Sequence, residues 1–355
     1  MTSHKSKSLV ALLAALAIVL LLAACGGNGS AGGTGDSGGG GSEETQEATD
    51  TAQTTAALPK TGKKTIGVIS LAPNNGGSGR MIKAMESFAG TLGWSVRVIN
   101  AEGDPQKVSS GVQSLISAKV DGIVVDILDP SAIAPDIAAA KKAGIPFISV
   151  NSNDLNPDVS TQIVANPFEI GVEQATQIAD AIGREGSVAL LGYSGSSNIS
   201  QRQAALEGAL KTYPGIKIVE DHEVDITNPV DDSTNAVQGW LTKYPKGQLD
   251  AIWAAWDEPA IGAATAIEAA GRSSEIDLVG ADYSPQSKQL MEGEGPLKAD
   301  WYIDYPKIGE AALESFAHIF AGEKVAPHQY METVVVTPES LPSGEYPPAG
   351  SVFHY

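Results

Sequence analysis

From Thr65 onward, short apolar runs alternate with longer amphipathic segments. Ile66–Ser70, Ser95–Ile99, Gly122–Asp126 and Pro146–Val150 are short, rich in Val and Ile, and suited to strands buried on both faces. Between them apolar side chains recur at helical spacing: Met81, Met85 and Phe88; Val112, Leu115 and Ile116; Ile133, Ile137 and Ala140. Gly93, Gly144 and the Asp-Pro pairs at 104–105 and 129–130 mark the boundaries. Strand alternating with helix predicts a parallel, doubly wound sheet.

The alternation then begins again. A helix is expected over Phe168–Ile182, followed by strands at Ser187–Leu191, Lys217–Val219, Ala251–Ala255 and Ile276–Val279. The intervening helices are placed at Ser200–Tyr213, Pro229–Lys243 and Asp257–Ala270. A late strand at Ala299–Ile303, a helix at Ile308–Phe320 and a strand at Met331–Val336 complete the core. The pattern therefore describes two α/β halves of similar design, the second opening near Asn166. The helix after two complete halves implies that the chain recrosses between them.

Asp250–Pro285 is the most informative stretch. It reads strand, helix, strand, with Trp256 and Asp257 after the first strand and Asp282 and Tyr283 after the second. Ligands of parallel sheets bind at the carboxyl ends of strands. Asp257 is expected as helix N-cap, with Pro259 in the first turn.

Composition alters this picture mainly at the ends. The 355 residues carry 42 acidic and 23 basic side chains, a formal charge of -19. That argues against a nucleic-acid partner, which requires clustered Lys and Arg. Lys5 and Lys7 precede the apolar run Leu9–Leu22, and Leu22-Ala-Ala-Cys25 follows. This is a secretory leader covering residues 1–24. The single cysteine, Cys25, stands directly after the cleavage point and resembles the lipobox of bacterial lipoproteins. A lipid there holds the protein at the extracytoplasmic face of the cell membrane. Residues 25–63 are Gly, Ser, Thr, Ala and Glu with almost no large apolar side chains, and form a flexible tether. A Pro- and Gly-rich tail occupies 342–355.

The chemistry of catalysis is sparse. Gly192-Tyr-Ser194-Gly-Ser196 imitates a nucleophile elbow but places Ser196 where the second Gly is required. The five histidines have neither metal nor triad spacing, and Gly76–Arg80 lacks the Lys-Ser/Thr of a P-loop. Asp154–Ser160 begins like a calcium loop, yet its sixth position is Val159. No enzyme activity, metal or cofactor is expected.

The ordered set of motifs resembles one family, the type I periplasmic binding proteins of ABC importers, in the ribose- and galactose-binding branch. Lys64–Ser70 is similar to its first strand, Asp121–Val125 with Leu128-Asp-Pro130 to its third, and Ala143–Asn151 to its fourth. Asn166 with Gly171, Arg202 with Ala205-Leu206 and Tyr213–Lys217, Trp256-Asp257, Val279–Asp282 and Val334–Thr337 continue the series. The resemblance covers 64–341. It implies two lobes joined by three crossovers: 64–165 with 305–332, and 166–304 with 333–341. Ligand is trapped between them by hinge closure.

The resemblance also implies a site. Asn75, Asn151, Arg202, Asp257, Asp282 and Asp304 are its candidate polar contacts, although a turn-forming Asn151 and a capping Asp257 are the simpler readings of those two. The register of Asp304 against Ile308-Gly309 is one residue short. Asp225–Asn228 matches a wall segment of undetermined register. The aromatic clamp of the ribose branch is replaced by Gly77 and Ser78, so the wall falls to Trp256, with Trp301 or Tyr193. Trp253, inside its strand, belongs to the core. The expected ligand is neutral and hydroxyl-rich, a sugar or polyol, with a nucleoside or small aromatic as the alternative. The expected partner is an ABC permease or, alternatively, a membrane receptor kinase, and the protein is expected to be monomeric.

Overall fold

The computed structural model describes residues 57–293 and 295–341. The leader, Cys25, most of the tether and the tail lie outside them. The described chain forms two six-stranded sheets.

The first lobe begins with β1 (Thr65–Ser70), α1 (Gly76–Thr91), β2 (Ser95–Asn100), α2 (Pro105–Ser117) and β3 (Gly122–Asp126). A 3-10 turn over Pro130–Ile133 leads to α3 (Ala134–Lys142), β4 (Phe147–Val150) and β5 (Thr161–Ala165). The second lobe contains α4 (Pro167–Ala181), β6 (Glu185–Gly192), α5 (Ser197–Leu210), β7 (Gly215–Glu223), α6 (Pro229–Lys243) and β8 (Ala251–Ala254). It continues through α7 (Asp257–Ala269), β9 (Asp277–Asp282), α8 (Pro285–Glu292) and β10 (Leu297–Ile303). The chain ends with α9 (Tyr305–Phe320), β11 (His328–Met331) and β12 (Thr333–Val336).

The first sheet has the order β11-β5-β4-β3-β1-β2 and is parallel throughout. The second has the order β12-β10-β9-β8-β6-β7, with only β12 antiparallel. Central strands such as β3 and β4 are buried at every residue because helices cover both faces. In each sheet the order reverses beside the first strand of the lobe, between β1 and β3 and between β6 and β8. Those switch points open the crevice in which doubly wound folds bind ligands.

Three differences from the sequence reading have local causes. The expected strand Met331–Val336 is two strands in different sheets, with Glu332 between them at a crossing from one lobe to the other. Strand β5 was not read because the polar run before it masks five residues buried on all sides. Helix α8 was not read because its sequence, PQSKQLME, has few apolar positions; Met291 is its one buried large apolar side chain.

The chain passes between the lobes three times, and each passage is one residue wide: Asn166 between β5 and α4, Asp304 between β10 and α9, and Glu332 between β11 and β12. Asn166 accepts from the backbone N–H groups of Phe168 and Glu169, and Asp304 from that of Lys307, so both cap the helix that follows. Pro167 and Pro306 stand in the first turns.

Candidate functional site

The carboxyl ends of the two sheets face each other across a narrow cavity of about 40 Å³. Asn75, Gly77, Ser78, Ile127, Asn151 and Tyr305 line it from the first lobe, and Asn198, Ile199, Arg202, Ile226, Trp256 and Asp282 from the second. Five of the seven expected polar and aromatic site residues therefore meet here: Asn75, Asn151, Arg202, Trp256 and Asp282.

On the first-lobe side the organising group is Asp126, buried at the end of β3. Its Oδ2 accepts from Ser70 Oγ at 2.7 Å and Ser78 Oγ at 2.6 Å, and its Oδ1 from Asn151 Nδ2 at 2.7 Å. Burial pushes the Asp126 carboxyl above its usual range, and the three donors oppose that shift. Because a carboxylate only accepts, it orients the Asn151 amide. Nδ2 is committed to Asp126, and Oδ1 is the part left for the cavity.

On the second-lobe side Arg202, 2% exposed, donates from Nη1 to the Ala255 carbonyl at 2.5 Å. Asn198 donates from Nδ2 across the cleft to the Asn151 carbonyl at 3.1 Å. Among the described residues, Arg202 Nε, Trp256 Nε1 and Asn198 Oδ1 are buried with no hydrogen-bond partner. An unpaired buried donor or acceptor is costly. Here all three belong to cavity-lining residues, two donors and one acceptor.

Asp282 closes β9. Its Oδ1 accepts from the Tyr305 hydroxyl at 2.8 Å. Burial, together with the nearby charges of Asp257 and Glu258, pushes its carboxyl up to about 8. Tyr305 was not read as a site residue, although it enters the cavity from the first turn of α9. A Cβ at Gly77 would lie 2.6 Å from Tyr305 Cζ, so the glycine after β1 makes room for this ring. Arg80 lies 5.5 Å from the ring centroid and donates to the Asp282 carbonyl at 3.2 Å.

Backbone strain gathers at the same place. Ile127, Asn151, Asp282 and Tyr283 follow or end the strands facing the cavity, and have φ of 74°, 55°, 116° and 47°. A β-branched residue in this region is unusual, and such strain concentrates at ligand clamps.

Asp257 and Asp304 are not in the lining. The N-cap of α7 is Trp256, not Asp257, and its side chain makes no cap bond. Asp257 turns inward instead: its Oδ2 accepts from the Ser284 N–H at 2.6 Å and Ser287 Oγ at 2.8 Å, and holds the loop after β9. Beside it Asp300 is fully buried, and burial together with the Asp257 charge raises its carboxyl well above the usual range. Asp304 is spent on capping α9 at the second crossing.

Of the other aromatic residues, Trp301 is 1% exposed and donates to Glu173, and Trp253 donates to Gln174 inside the core. Tyr193 stacks edge-on against Trp256 at 6.3 Å and supports it from behind. Ile226 brings the Asp225–Asn228 segment into the wall. Ser194 Oγ donates to Glu223, which gives it a carboxylate partner and not the imidazole of a triad.

The lobes are held against each other by helix caps supplied from the opposite side. The N-cap residue of α5, Ser196, makes no side-chain cap bond. Asp129 of the first lobe takes that place, accepting from the Ser197 N–H with both oxygens at 3.0 Å and from Ser197 Oγ at 2.6 Å. The N-cap residue of α1, Asn75, also makes none. Glu258 of the second lobe accepts from the Gly76 N–H at 2.5 Å. Each carboxylate meets the positive end of a helix dipole.

The comparisons with known proteins agree with this architecture. Residues 46–324 match the family model described as a periplasmic binding protein domain. The chain is 27% identical to the ribose import binding protein of Bacillus subtilis, over 74% of this chain and 83% of that protein. It is 29% identical to a xylitol-binding protein of Mycolicibacterium smegmatis, and there the match spans about half of each chain, 52% of both. Among solved structures, an ABC transporter solute-binding protein from Agrobacterium vitis with bound allitol superposes with a TM-score of 0.74 at 27% identity, covering 79% of this chain and 97% of that one. The chain belongs to the periplasmic binding protein family, in the type I class that serves ABC transporters, and its members bind solutes and do not transform them.

Proposed function

We propose that this family member captures a small, neutral, hydroxyl-rich solute, a sugar or polyol, between its lobes and delivers it to an ABC permease. The observation that carries the reading is the set of unpaired polar atoms around the cavity. Arg202 Nε and Trp256 Nε1 offer donors, and Asn198 Oδ1 an acceptor. Asn151 Oδ1 adds an acceptor, and the second oxygen of Asp282, protonated below about pH 8, adds a hydroxyl, since their partner atoms are already bonded. A ligand hydroxyl both donates and accepts, so a polyol satisfies a mixed set of this kind at several points. The indole of Trp256 and the phenol ring of Tyr305 supply flat apolar walls for C–H faces. The similarity to the xylitol- and ribose-binding relatives supports the same class.

The test is a titration of the purified protein with a panel of pentitols, hexitols, pentoses and hexoses, followed by tryptophan fluorescence and thermal shift. Saturable stabilisation by members of the panel is expected. Silence across it, with a response to nucleosides or small aromatics, replaces the polyol reading by the one the two aromatic walls also suit.

The membrane end rests on Cys25, the only cysteine, directly after the leader. Lipidation there keeps the receptor at the extracytoplasmic face beside its permease, tethered as a monomer through residues 25–63. Cys25→Ala is expected to release the protein from the membrane fraction and to abolish labelling by a fatty-acid probe. Loss of uptake in a strain lacking the neighbouring permease distinguishes transport from signalling to a receptor kinase.

A further inference from the structure

Tyr305 is placed oddly for a wall residue. It belongs to α9, which packs on α1 in the first lobe, yet its hydroxyl ends on Asp282 at the tip of a second-lobe strand. Its ring lies over Gly77, the first turn of α1, where any larger side chain would collide with it. The ring is 9% exposed, and burial beside Asp282 pushes its hydroxyl well above its usual range, which keeps it protonated and able to donate. The result is a protein hydroxyl bonded to a cavity carboxylate in the manner of a ligand hydroxyl, with an aromatic face beside it.

We propose that Tyr305 sets the size and hydroxyl pattern of the ligand by occupying one oxygen of Asp282 and the wall position over Gly77. This rests on the polyol reading above and narrows it. With Oδ1 taken, Asp282 has one oxygen left for the ligand. The remaining free polar atoms are Asn151 Oδ1, Asn198 Oδ1, Arg202 Nε and Trp256 Nε1, with the half-buried Asn75 amide at the edge. The phenol lines the cavity beside Asp282. Because the ring stands over Gly77 and its hydroxyl ends on Asp282, a ligand chain running past Asp282 meets it, which favours five-carbon over six-carbon ligands. Tyr305 is thus a specificity-determining residue, and the glycine at 77 is its sequence counterpart: the aromatic absent after β1 has moved to α9.

The experiment compares wild type, Tyr305→Phe and Tyr305→Ala on matched pentitols and hexitols by calorimetry, with thermal denaturation alongside. Wild type is expected to prefer the five-carbon series. Tyr305→Phe keeps the ring and frees Asp282 Oδ1, and is expected to shift relative affinity between ligands differing by one hydroxyl by about tenfold, the scale of one hydrogen bond. Tyr305→Ala removes the ring beside Asp282 and is expected to bring hexitols to or above the affinity of pentitols. Rank orders identical in all three proteins overturn the assignment while leaving the polyol reading intact. A wild type that binds no member of either series overturns both. Gly77→Ala provides a control that needs no ligand: it is expected to lower the melting temperature, and Tyr305→Ala in the same chain to recover most of that loss. An equal loss with or without the tyrosine ring places the ring elsewhere and also overturns the assignment.

Discussion

Asp129 and Ser197 lie in different lobes, yet the Asp129 carboxylate completes the first turn of the helix that Ser197 begins. Glu258 does the same in the opposite direction at Gly76. A capping side chain contributes about 1 kcal/mol to its helix, which corresponds to about fivefold in an equilibrium constant. When the lobes part, the helix ends return to water, so the loss falls on closure and not on folding. Asp129→Ala and Glu258→Ala are each expected to weaken ligand affinity about fivefold and together roughly twenty-fivefold, because the sites are separate. The melting temperature without ligand should move little. Calorimetry and small-angle scattering check this; full affinity in the double variant would remove the caps from the closing mechanism.

Asp282 gives stability a pH dependence of defined sign. Its folded value of about 8 lies above the ordinary 3.8, so between those values the folded protein holds a proton that the unfolded chain has lost. The stabilisation is complete below the unfolded value and is lost as pH rises through the folded one. Asp257, Glu258, Arg80, Arg202 and Tyr305 face the group, and burial also raises Glu258, Asp300 and Asp126. The melting temperature is expected to fall from about pH 4 to about pH 8, and Asp282→Asn to flatten part of that fall, the other raised acids retaining the rest. An unchanged slope in the variant would assign the dependence to those acids alone.

Trp256 and Trp253 are three residues apart and should fail in different ways. Trp256→Phe keeps an aromatic wall but removes the free Nε1 donor, and is expected to lower affinity about tenfold with little loss of stability. Trp253→Phe breaks the bond to Gln174 inside the core and leaves a void, and is expected to cost about 2 kcal/mol of stability while ligand selectivity is unchanged. Denaturant titration and calorimetry on both variants separate the two roles.

Asp126 and Asn151 act as one unit. Asn151→Asp places a second carboxyl 2.7 Å from Asp126 Oδ1, a like-charge contact in a buried site, and should abolish binding near neutral pH. The exchange Asp126→Asn with Asn151→Asp restores one acid and one amide, and is expected to recover binding to within about tenfold. If the exchange binds no better than Asn151→Asp alone, the amide is not oriented by the carboxylate.

How much of this was legible in the chain depended on distance along it. Strands such as Gly122–Asp126 and helices such as Pro229–Lys243 are set by local pattern, and the structure has them with the same ends. Arg202, Asp282, Asn151 and Trp256 follow apolar runs or stand in recognisable motifs, and the structure brings them together. Tyr305, Asn198 and Asp126 were missed because their significance comes from partners far away in sequence: Gly77 and Asp282 for the first, Asn151 for the other two. A signal for Tyr305 existed in the pair of small residues, Gly77 and Ser78, where an aromatic was expected. Asp257 read as a cap because its neighbours permit one, but Ser284 and Ser287, some thirty positions later, decide where it points.

The three crossings at Asn166, Asp304 and Glu332 carry a consequence for how the protein communicates. Joints one residue wide, two of them pinned by capped helices, allow little sliding or stretching, so the lobes are left with rotation. What a membrane partner meets is therefore an angle and not a chemical identity. Side chains deep in the cleft can be exchanged to admit a new cargo without altering the surface that announces a full receptor, and that surface can change without altering the cargo. The same frame could be redirected from one nutrient to another by a few interior substitutions, or turned into a reporter by attaching a probe to each lobe.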